Sequence, residues 1–267
     1  MVPAVSGIIY GESGAAATSG PTLRQKLREG GVAYGASCSL GSPFIAEIMV
    51  RAGLDYIYID QQHGLTSFDT LVHMLRAIDH TATAAIVRVL SNDAGLIGQV
   101  LDAGADGVIV PMVNSVEDAR RAAAACRYAP LGSRSFGAFR ASMTRGSDIH
   151  RANERVMCFV MIESEAGLRA AGDIATTPGV DGVYIGQADL AVSLGLPSQV
   201  RIQPGRHQEA VDTILRACKA GGIVAGLSGH PVEMRDAGFR LITMATDRSM
   251  IEAGVKDLKA KMALARG

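Results

Sequence analysis

The feature of the sequence that most constrains its fold is a repeated alternation between short apolar, β-branched runs and alanine-rich stretches with helical spacing. The eight runs are Val32–Cys38, Tyr56–Asp60, Ala85–Val89, Gly107–Val110, Val156–Ile162, Gly182–Ile185, Ile223–Leu227 and Leu241–Met244. Strands that alternate with helices form parallel sheets, because a parallel pair needs a connection of about a dozen residues or more. Eight such units over residues 21–267 predict a single α/β domain, a (β/α)8 TIM barrel. An open parallel sheet of six or seven strands is the alternative.

The start of the chain differs from this pattern. Residues 1–20 are small, polar and glycine-rich, and they lack sustained periodicity, which predicts a flexible N-terminal extension. The folded part is expected to begin at Pro21, because proline is favoured at a helix start and Leu23 and Leu27 follow at helical spacing.

Charge and composition exclude several classes of partner. Lys and Arg number 26 against 26 Asp and Glu, so the chain lacks the basic surface that nucleic acid or an anionic membrane would select. No apolar run reaches the length of a membrane span, and the start does not resemble a signal peptide. The four cysteines, which are Cys38, Cys126, Cys158 and Cys218, form no Cys-x-x-Cys pair. We therefore expect a cytoplasmic protein with buried thiols and small-molecule partners.

Polar residues collect where the predicted strands end. In parallel α/β barrels the active site is built from the carboxyl ends of the strands and the loops that follow them. The residues at these positions are Asp60, His63, Arg88, Glu163 and Asp189. A buried charge such as that of Arg88 requires a partner or a ligand. The sequence therefore predicts a site where two acids, an Asp/His pair and a guanidinium meet at one opening.

This set of groups suits metal-assisted chemistry on a 2-oxo acid. Glu163 and Asp189 offer the oxygen ligands that a divalent ion such as Mg²⁺, Mn²⁺ or Co²⁺ accepts. Such an ion would polarise the keto group, and Arg88 would stabilise the developing oxyanion. His63, oriented by Asp60, would be the general acid and base.

Five segments carry a resemblance to a known family. They are Asp55–Gly64, Gly107–Val113, Arg127–Arg134, Met161–Glu163 and Gly179–Leu190. In this order they resemble the metal-dependent (class II) pyruvate aldolases of the 4-hydroxy-2-oxoheptanedioate and 2-dehydro-3-deoxyglucarate aldolase family, over most of the chain from Thr22 onward. The resemblance implies a barrel whose C-terminal helix is exchanged between protomers of a homohexamer, a trimer of dimers. It also implies reversible cleavage of 4-hydroxy-2-oxo acids to pyruvate and an aldehyde.

The resemblance also implies roles for individual residues. Glu163 and Asp189 correspond to the metal ligands, His63 and Asp60 to the acid/base dyad, and Arg88 to the group that holds the pyruvate keto oxygen.

Two further roles follow from the same resemblance. The backbone from Gly186 through Ala188 to Asp189 would bind the pyruvate carboxylate, as amides at a helix start do. Asp102 corresponds to a further acid on the aldehyde side.

The chain departs from the family pattern at several positions near the predicted site. Gln62 stands where the family more often has Glu, Met161 where many members have Gln, Gln187 where Pro is usual, and Ser37 where Trp is common. Ser228 falls where members often carry an apolar residue in the aldehyde pocket, which indicates a more polar acceptor. The aldehyde preference of the family therefore does not transfer to this chain.

Two other functions fit the same residues. One is different carbon–carbon chemistry on the same barrel and metal, as in an oxaloacetate decarboxylase or a citrate-lyase-like enzyme. The other is a barrel that binds a carboxylate metabolite without catalysis. A Schiff-base aldolase is disfavoured, because the lysines, including Lys26, Lys219 and Lys256, fall in helical stretches rather than at strand ends.

Overall fold

The structure is a computed structural model that describes residues 22–198 and 201–266. The predicted extension at residues 1–20 and the expected start at Pro21 lie outside the described residues. The first described helix has Thr22 as its N-cap, with the Thr22 side chain accepting a hydrogen bond from the Gln25 amide.

Eight parallel strands in the described part of the chain close into a barrel in chain order. They are β1 (Ala33–Cys38), β2 (Tyr56–Asp60), β3 (Ala84–Arg88), β4 (Gly107–Val110), β5 (Met157–Ile162), β6 (Gly182–Ile185), β7 (Val224–Ser228) and β8 (Leu241–Thr246). All eight predicted strands are confirmed; β2, β4 and β6 have the predicted bounds, and the ends of the others differ by one or two residues. Pairing of β1 with β8 closes the sheet, so the alternative of an open sheet is wrong.

Helices cover the outside of the barrel. They are α1 (Leu23–Arg28), α2 (Pro43–Val50), α3 (Phe68–Ile78), α4 (Ala94–Asp102), α5 (Val116–Ala125), α6 (Phe139–Arg145), α7 (Ile149–Arg155), α8 (Glu165–Arg169), α9 (Ala171–Ala175), α10 (Gln187–Ser193), α11 (Arg206–Gly221), α12 (Pro231–Ala237) and α13 (Asp247–Arg266). Several begin at a side chain that accepts a hydrogen bond from the amide three residues further on, which is the usual N-cap arrangement. These caps are Ser42, Ser67, Asp93, Ser115 and Ser164.

The strand period of two separates the side chains into two layers. Tyr58 of β2, Ile86 of β3 and Met161 of β5 belong to a cluster inside the barrel, whereas their chain neighbours pack outward against the helices. Glycines make room for large inward side chains: a Cβ at Gly35 would lie 2.5 Å from the Tyr56 ring. The next inward position on each of β2, β3 and β5 comes at the carboxyl end of the barrel, which we call the mouth.

The last helix, α13, differs from the others because it is hardly covered by its own barrel. Of its residues only Asp247 is buried, and it accepts hydrogen bonds from the amides of Ser39 and Leu40 in the loop after β1. Large apolar side chains lie exposed further along the helix, which are Met250, Ile251, Val255, Leu258, Met262 and Leu264. In the described part of the chain, no helix is both long and apolar enough to cross a membrane.

Candidate active site

The mouth contains a buried ion pair between the ends of two neighbouring strands. Asp60 and Arg88 are register partners in the β2–β3 ladder. Arg88 Nε donates to Asp60 Oδ1 at 2.9 Å and Arg88 Nη2 donates to Asp60 Oδ2 at 2.6 Å. Burial alone would lower the pKa of Arg88, but the hydrogen bonds to Asp60 raise it above its ordinary value. The guanidinium is therefore permanently charged and held in one orientation.

The rest of the Arg88 guanidinium contacts two residues of the barrel interior. Arg88 Cζ lies over the Tyr58 ring, 5.5 Å from the ring centroid. Nη1 lies 3.9 Å from the Met161 sulfur, a weak acceptor. Because a thioether sulfur is a weak acceptor, Nη1 keeps most of its capacity to donate to a substrate oxygen.

The structure pairs Asp60 with Arg88 and with the backbone of the His63 loop, and the acid/base dyad of Asp60 and His63 stays a prediction. Asp60 Oδ1 accepts hydrogen bonds from the backbone amides of Gln62 at 3.0 Å and His63 at 3.3 Å, in addition to those from Arg88. Asp60 therefore holds the backbone of the His63 loop and leaves the orientation of the imidazole to other contacts. The His63 side chain itself is exposed at the mouth. The register of β2 and β3 explains this, because it puts a bidentate cation directly beside Asp60.

Glu163 follows β5 and is almost completely buried, with 2% of its surface exposed. Its Oε1 accepts a hydrogen bond of 2.7 Å from the Met112 amide, and Met112 has a φ of 55°. A Cβ at Gly186 would lie 2.5 Å from Glu163 Oε2, so the backbone after β6 packs directly on this carboxylate. The carboxylate is thus fixed from two sides.

A second carboxylate lies close to Glu163. Asp189, in the first turn of α10, is exposed at the mouth. Burial raises the pKa of Glu163, and the negative charge of Asp189 raises it further. Within residues 22–198 and 201–266 neither acid has an ion pair, because Arg88 is bonded to Asp60. The pair therefore creates a site of negative charge that favours a cation.

Only two carboxylates take part in this site. In the described ranges no group of three or more His, Cys, Asp and Glu side chains is arranged to hold a metal ion. A hard divalent ion that keeps several waters or substrate oxygens needs only one or two protein carboxylates. The arrangement fits such an ion and does not fit a closed zinc site.

The backbone after β6 lies beside Glu163, because Gly186 packs directly on its carboxylate. Gly186 is the N-cap residue of α10, and Ala188 lies in its first turn. Gln187 is buried, and Ser37, at the end of β1, is buried inside the mouth. Binding of a substrate carboxylate by this backbone stays a prediction.

Asp102 lies away from the mouth of its own barrel, and its role on the aldehyde side stays a prediction. Asp102 is the last residue of α4, a helix that leads away from the mouth, and its Oδ1 lies 2.7 Å from Arg134 Nη2. In a (β/α)8 barrel the helices end at the face opposite the active site. Within one chain, Asp102 therefore belongs to an ion pair on the outer wall and does not reach the residues of the mouth.

The sequence analysis named Ser228 but missed the hydroxyl groups that it contacts, those of Tyr184 and Thr243. Ser228, at the end of β7, shares a hydrogen bond of 2.9 Å with the Tyr184 hydroxyl, and Tyr184 donates to Thr243 Oγ1 at 2.8 Å. Tyr184 also packs edge-on against Tyr58, with ring centroids 5.6 Å apart. Counting back two residues from Asp60 and from Gly186 would have found both tyrosines, since alternate residues share the barrel interior.

A closed parallel barrel with charged groups gathered at the carboxyl ends of its strands defines a class, the (β/α)8-barrel enzymes. Sequence comparison is more specific. The profile of the HpcH/HpaI aldolase/citrate lyase family matches residues 37–252, and the chain belongs to this family.

Named relatives support the same assignment. The hydroxypyruvate/pyruvate aldolase of Paraburkholderia phytofirmans is 36% identical over 241 residues, covering 84% of this chain and 91% of that protein. The 2-keto-3-deoxy-L-rhamnonate aldolase of Salmonella gallinarum is 36% identical over 212 residues, covering 76% and 77%. Both relatives are named as aldolases, a class of carbon–carbon lyases.

Solved structures agree with the sequence relatives. A family protein from Burkholderia cenocepacia superimposes with a TM-score of 0.84 at 31% identity, covering 90% of this chain and 98% of that one. The citrate synthase SbnG superimposes with a TM-score of 0.80 at 30% identity, covering 92% and 97%.

Proposed function

We propose that this chain is a divalent-metal-dependent aldolase that reversibly cleaves 4-hydroxy-2-oxo acids to pyruvate and an aldehyde. The observation that carries the proposal is the pair Glu163 and Asp189, two carboxylates at the ends of neighbouring units with no ion pair among the described residues. The names of the relatives, which include a hydroxypyruvate/pyruvate aldolase, support the choice of pyruvate as one product.

The residues present fit a divalent ion. A buried carboxylate with a second negative charge beside it is unfavourable unless a positive charge joins them. The donors are oxygens, which Mg²⁺, Mn²⁺ and Co²⁺ accept, and Glu163 and Asp189 would hold the ion. When bound, such an ion supplies positive charge that polarises the 2-oxo group of the substrate.

Arg88 is placed to bind the keto oxygen of pyruvate. Asp60 occupies Nε and Nη2, which fixes the guanidinium plane, and Nη1 has the Met161 sulfur, a weak acceptor, at 3.9 Å. A preorganised donor of this kind stabilises negative charge on the oxygen of an enolate without rearranging. The amides at Gly186 and Ala188 would receive the carboxylate of the same molecule.

His63 would move the proton. In the cleavage direction its imidazole takes the proton of the C4 hydroxyl, the bond between C3 and C4 breaks, and the aldehyde leaves. C3 of the enolate is then protonated to give pyruvate. The exposed position of His63 at the mouth, on a loop held by Asp60, is compatible with this role.

A pyruvate-release assay tests the proposal. With Mn²⁺ or Mg²⁺ and 4-hydroxy-2-oxopentanoate as substrate, we expect pyruvate to form, and EDTA to abolish its formation. His63→Ala should lower the rate by about 10²–10⁴-fold. Activity that survives both EDTA and Glu163→Ala would refute the metal role. An enzyme that decarboxylates oxaloacetate but fails to condense pyruvate with any aldehyde would favour the alternative chemistry on the same barrel.

The proposal extends to assembly and location. The exposed apolar side chains along α13 support a homo-oligomer, a trimer of dimers in which this helix packs on a neighbouring protomer. Four cysteines are free and buried, which supports a cytoplasmic location. Sedimentation of the full-length protein tests the hexamer.

A further inference from the structure

The loop after β2, which carries His63, is held on both sides of this residue. Asp60 Oδ1 accepts hydrogen bonds from the backbone amides of Gln62 and His63. Two residues after His63, the Leu65 amide donates to the Ser39 carbonyl oxygen at 2.7 Å. The His63 imidazole is exposed and has no hydrogen-bond partner among the described residues. The position of the imidazole therefore depends on the backbone of its loop.

The loop after β1 begins at Ser39 and packs backbone to backbone against the loop after β2. A Cβ at Gly64 would overlap the Asp60 carbonyl oxygen and lie 3.0 Å from that of Ser39. A Cβ at Gly41 would lie 2.7 Å from the Leu65 carbonyl oxygen. Glycine permits this close approach of two backbones because it has no side chain. A displacement of Ser39 would therefore displace the loop after β2 as well.

Ser39 is in turn held by Asp247, the first residue of α13. The Ser39 amide donates to Asp247 Oδ2 at 3.0 Å, and the Ser39 hydroxyl donates to Oδ1 at 2.9 Å. The Leu40 amide donates to Oδ2 at 2.9 Å, and the Arg248 amide donates to Oδ1 at 2.8 Å. Asp247 is 1% exposed and has no ion pair within residues 22–198 and 201–266. These four hydrogen bonds therefore stabilise its buried charge and fix Ser39 from three atoms.

An irregularity in the sheet explains why Asp247 reaches this loop. In the β1–β8 ladder Gly35 pairs with Thr243, whereas Ser37, two residues further on, pairs with Thr246, three residues further on. The extra residue is a bulge in β8, and a bulge changes the direction of the side chains that follow it. We attribute the contact of the Asp247 carboxylate with the loop after β1 to this bulge.

We propose that Asp247 is a positioning residue for His63. Through Ser39 it fixes the loop after β2 where the imidazole can take the proton of the substrate's C4 hydroxyl. The inference rests on the proposed aldolase function, in which His63 moves this proton. None of the hydrogen bonds of Asp247 in the described chain involves Glu163 or Arg88. Asp247 therefore acts on the proton transfer and leaves metal and pyruvate binding unchanged.

The experiment compares two reactions of the Mn²⁺-loaded full-length enzyme. Cleavage of 4-hydroxy-2-oxopentanoate needs a base at the C4 hydroxyl. Decarboxylation of oxaloacetate breaks the bond between C3 and its carboxylate, releases CO₂ and leaves the same pyruvate enolate without such a base. His63→Ala should therefore lower cleavage far more than decarboxylation. In Asp247→Ala, kcat for cleavage should fall about 10- to 10²-fold, with KM and the decarboxylation rate within about threefold of wild type.

Ser249→Ala is the matched control. Ser249 Oγ accepts a hydrogen bond from the Thr246 amide at 3.0 Å and donates to the Thr246 carbonyl oxygen at 2.9 Å, so it caps the start of α13 without contacting Ser39. This variant should keep the wild-type ratio of cleavage to decarboxylation. Asp247→Asn keeps an oxygen that accepts from both backbone amides and should retain more cleavage activity than Asp247→Ala. Asp247→Asn and Ser39→Ala carry the same test if Asp247→Ala fails to fold.

Two further measurements separate positioning from a general structural effect. In a His63→Ala background, Asp247→Ala should cause no further loss of cleavage, because the loop then has no imidazole to position. Amide hydrogen exchange at Leu65, measured on the metal-free protein, should be faster in Asp247→Ala than in wild type and unchanged in Ser249→Ala.

The failure of this inference can be distinguished from the failure of the proposed function. Equal losses in cleavage and decarboxylation, additive losses in the double variant, or unchanged exchange at Leu65 would overturn the positioning role of Asp247 and leave the aldolase proposal standing. A wild-type enzyme that cleaves no 4-hydroxy-2-oxo acid would overturn both, and this result is seen before any variant is made.

Discussion

The two ends of the barrel differ in whether their carboxylates have cationic partners. At the end opposite the mouth, an aspartate directly precedes each of β2, β4 and β6, and these are Asp55, Asp106 and Asp181. Each accepts a hydrogen bond from the backbone amide of the second residue of the preceding strand, with N···O distances of 2.8–3.0 Å. Each also pairs with a basic side chain, which is Lys26 for Asp55, Arg145 for Asp106, and both Arg24 and Arg127 for Asp181. These aspartates fasten one strand to the next.

At the mouth, Glu163 and Asp189 lie close together without an ion pair in the part of the chain that the structure describes. Arg88 does not pair with them, because its Nε and Nη2 donate to the two carboxylate oxygens of Asp60. We infer from this difference that the aspartates paired with basic side chains at the opposite end stabilise the fold. The carboxylates of Glu163 and Asp189, which have no cationic partner among the described residues, are expected to bind a ligand. The predictions below test this division, beginning with the largest effect.

Glu163→Gln should separate activity from stability most strongly. Loss of one of two carboxylates should lower the rate of pyruvate release about a thousandfold, equivalent to several kcal/mol of transition-state stabilisation. The metal-free variant should unfold at no lower urea concentration than metal-free wild type, because a buried amide is less costly than a buried charge. Glu154→Gln, a change of an exposed glutamate on α7, is the matched control. A variant that keeps its activity but unfolds more easily would reverse the assignment.

Arg88→Lys tests whether the mouth needs the fixed guanidinium or only a positive charge. Lysine cannot form the bidentate bond to Asp60 and present another donor at the same time. We expect kcat/KM to fall about 10²- to 10³-fold. Arg134→Lys alters the corresponding pair with Asp102 on the outer wall and should leave kcat/KM within about twofold of wild type. Equal losses in the two variants would show that the two ion pairs do not differ in function.

Asp181→Asn should have the opposite profile to Glu163→Gln. It removes the shared partner of Arg24 and Arg127, two largely buried guanidinium groups, and should lower the free energy of unfolding by about 3 kcal/mol. The folded variant should keep a kcat close to that of wild type. Urea unfolding measures the loss of unfolding free energy. The control is Asp173→Asn, which changes an exposed aspartate on α9 and should alter the free energy of unfolding by less than about 0.5 kcal/mol. A stability equal to that of wild type would remove Asp181 from the stabilising set.

The smallest expected effect concerns backbone strain at the mouth. In residues 22–198 and 201–266, Met112 is the one non-glycine residue with a positive φ, and its amide holds Glu163. Glycine adopts this conformation without the penalty that a Cβ introduces. Met112→Gly should therefore be more stable than Met112→Ala by about 1 kcal/mol in urea unfolding. If the Met112→Ala variant were as stable as the Met112→Gly variant, the backbone would not be strained at this residue.

Much of the fold could be predicted from the sequence, because it depends on local patterns. The apolar runs gave all eight strands, and the ends of those runs pointed to Asp60, Arg88 and Glu163, which the structure brings to one mouth. The barrel could be inferred because helices alternate with strands throughout.

The contacts that the sequence did not indicate join residues that are distant in the chain. Asp60 was predicted to act with the nearby His63, and the strand register also pairs it with Arg88, 28 residues away. Asp102 ends a helix that leads to the opposite face of its own barrel, which no local pattern relates to the site, so its predicted role remains untested. Hydrogen-bonded hydroxyl groups from Ser228 through Tyr184 and Thr243 to Tyr56 join four strands, and no local pattern contains that information.

The most direct test of the account is anomalous diffraction from crystals grown with Mn²⁺ and pyruvate. We predict a manganese peak about 2 Å from carboxylate oxygens of both Glu163 and Asp189, with pyruvate beside it and its keto oxygen near Arg88. A peak bonded to other residues, or pyruvate bound at the mouth with no metal between these two acids, would contradict the claim that they hold the ion.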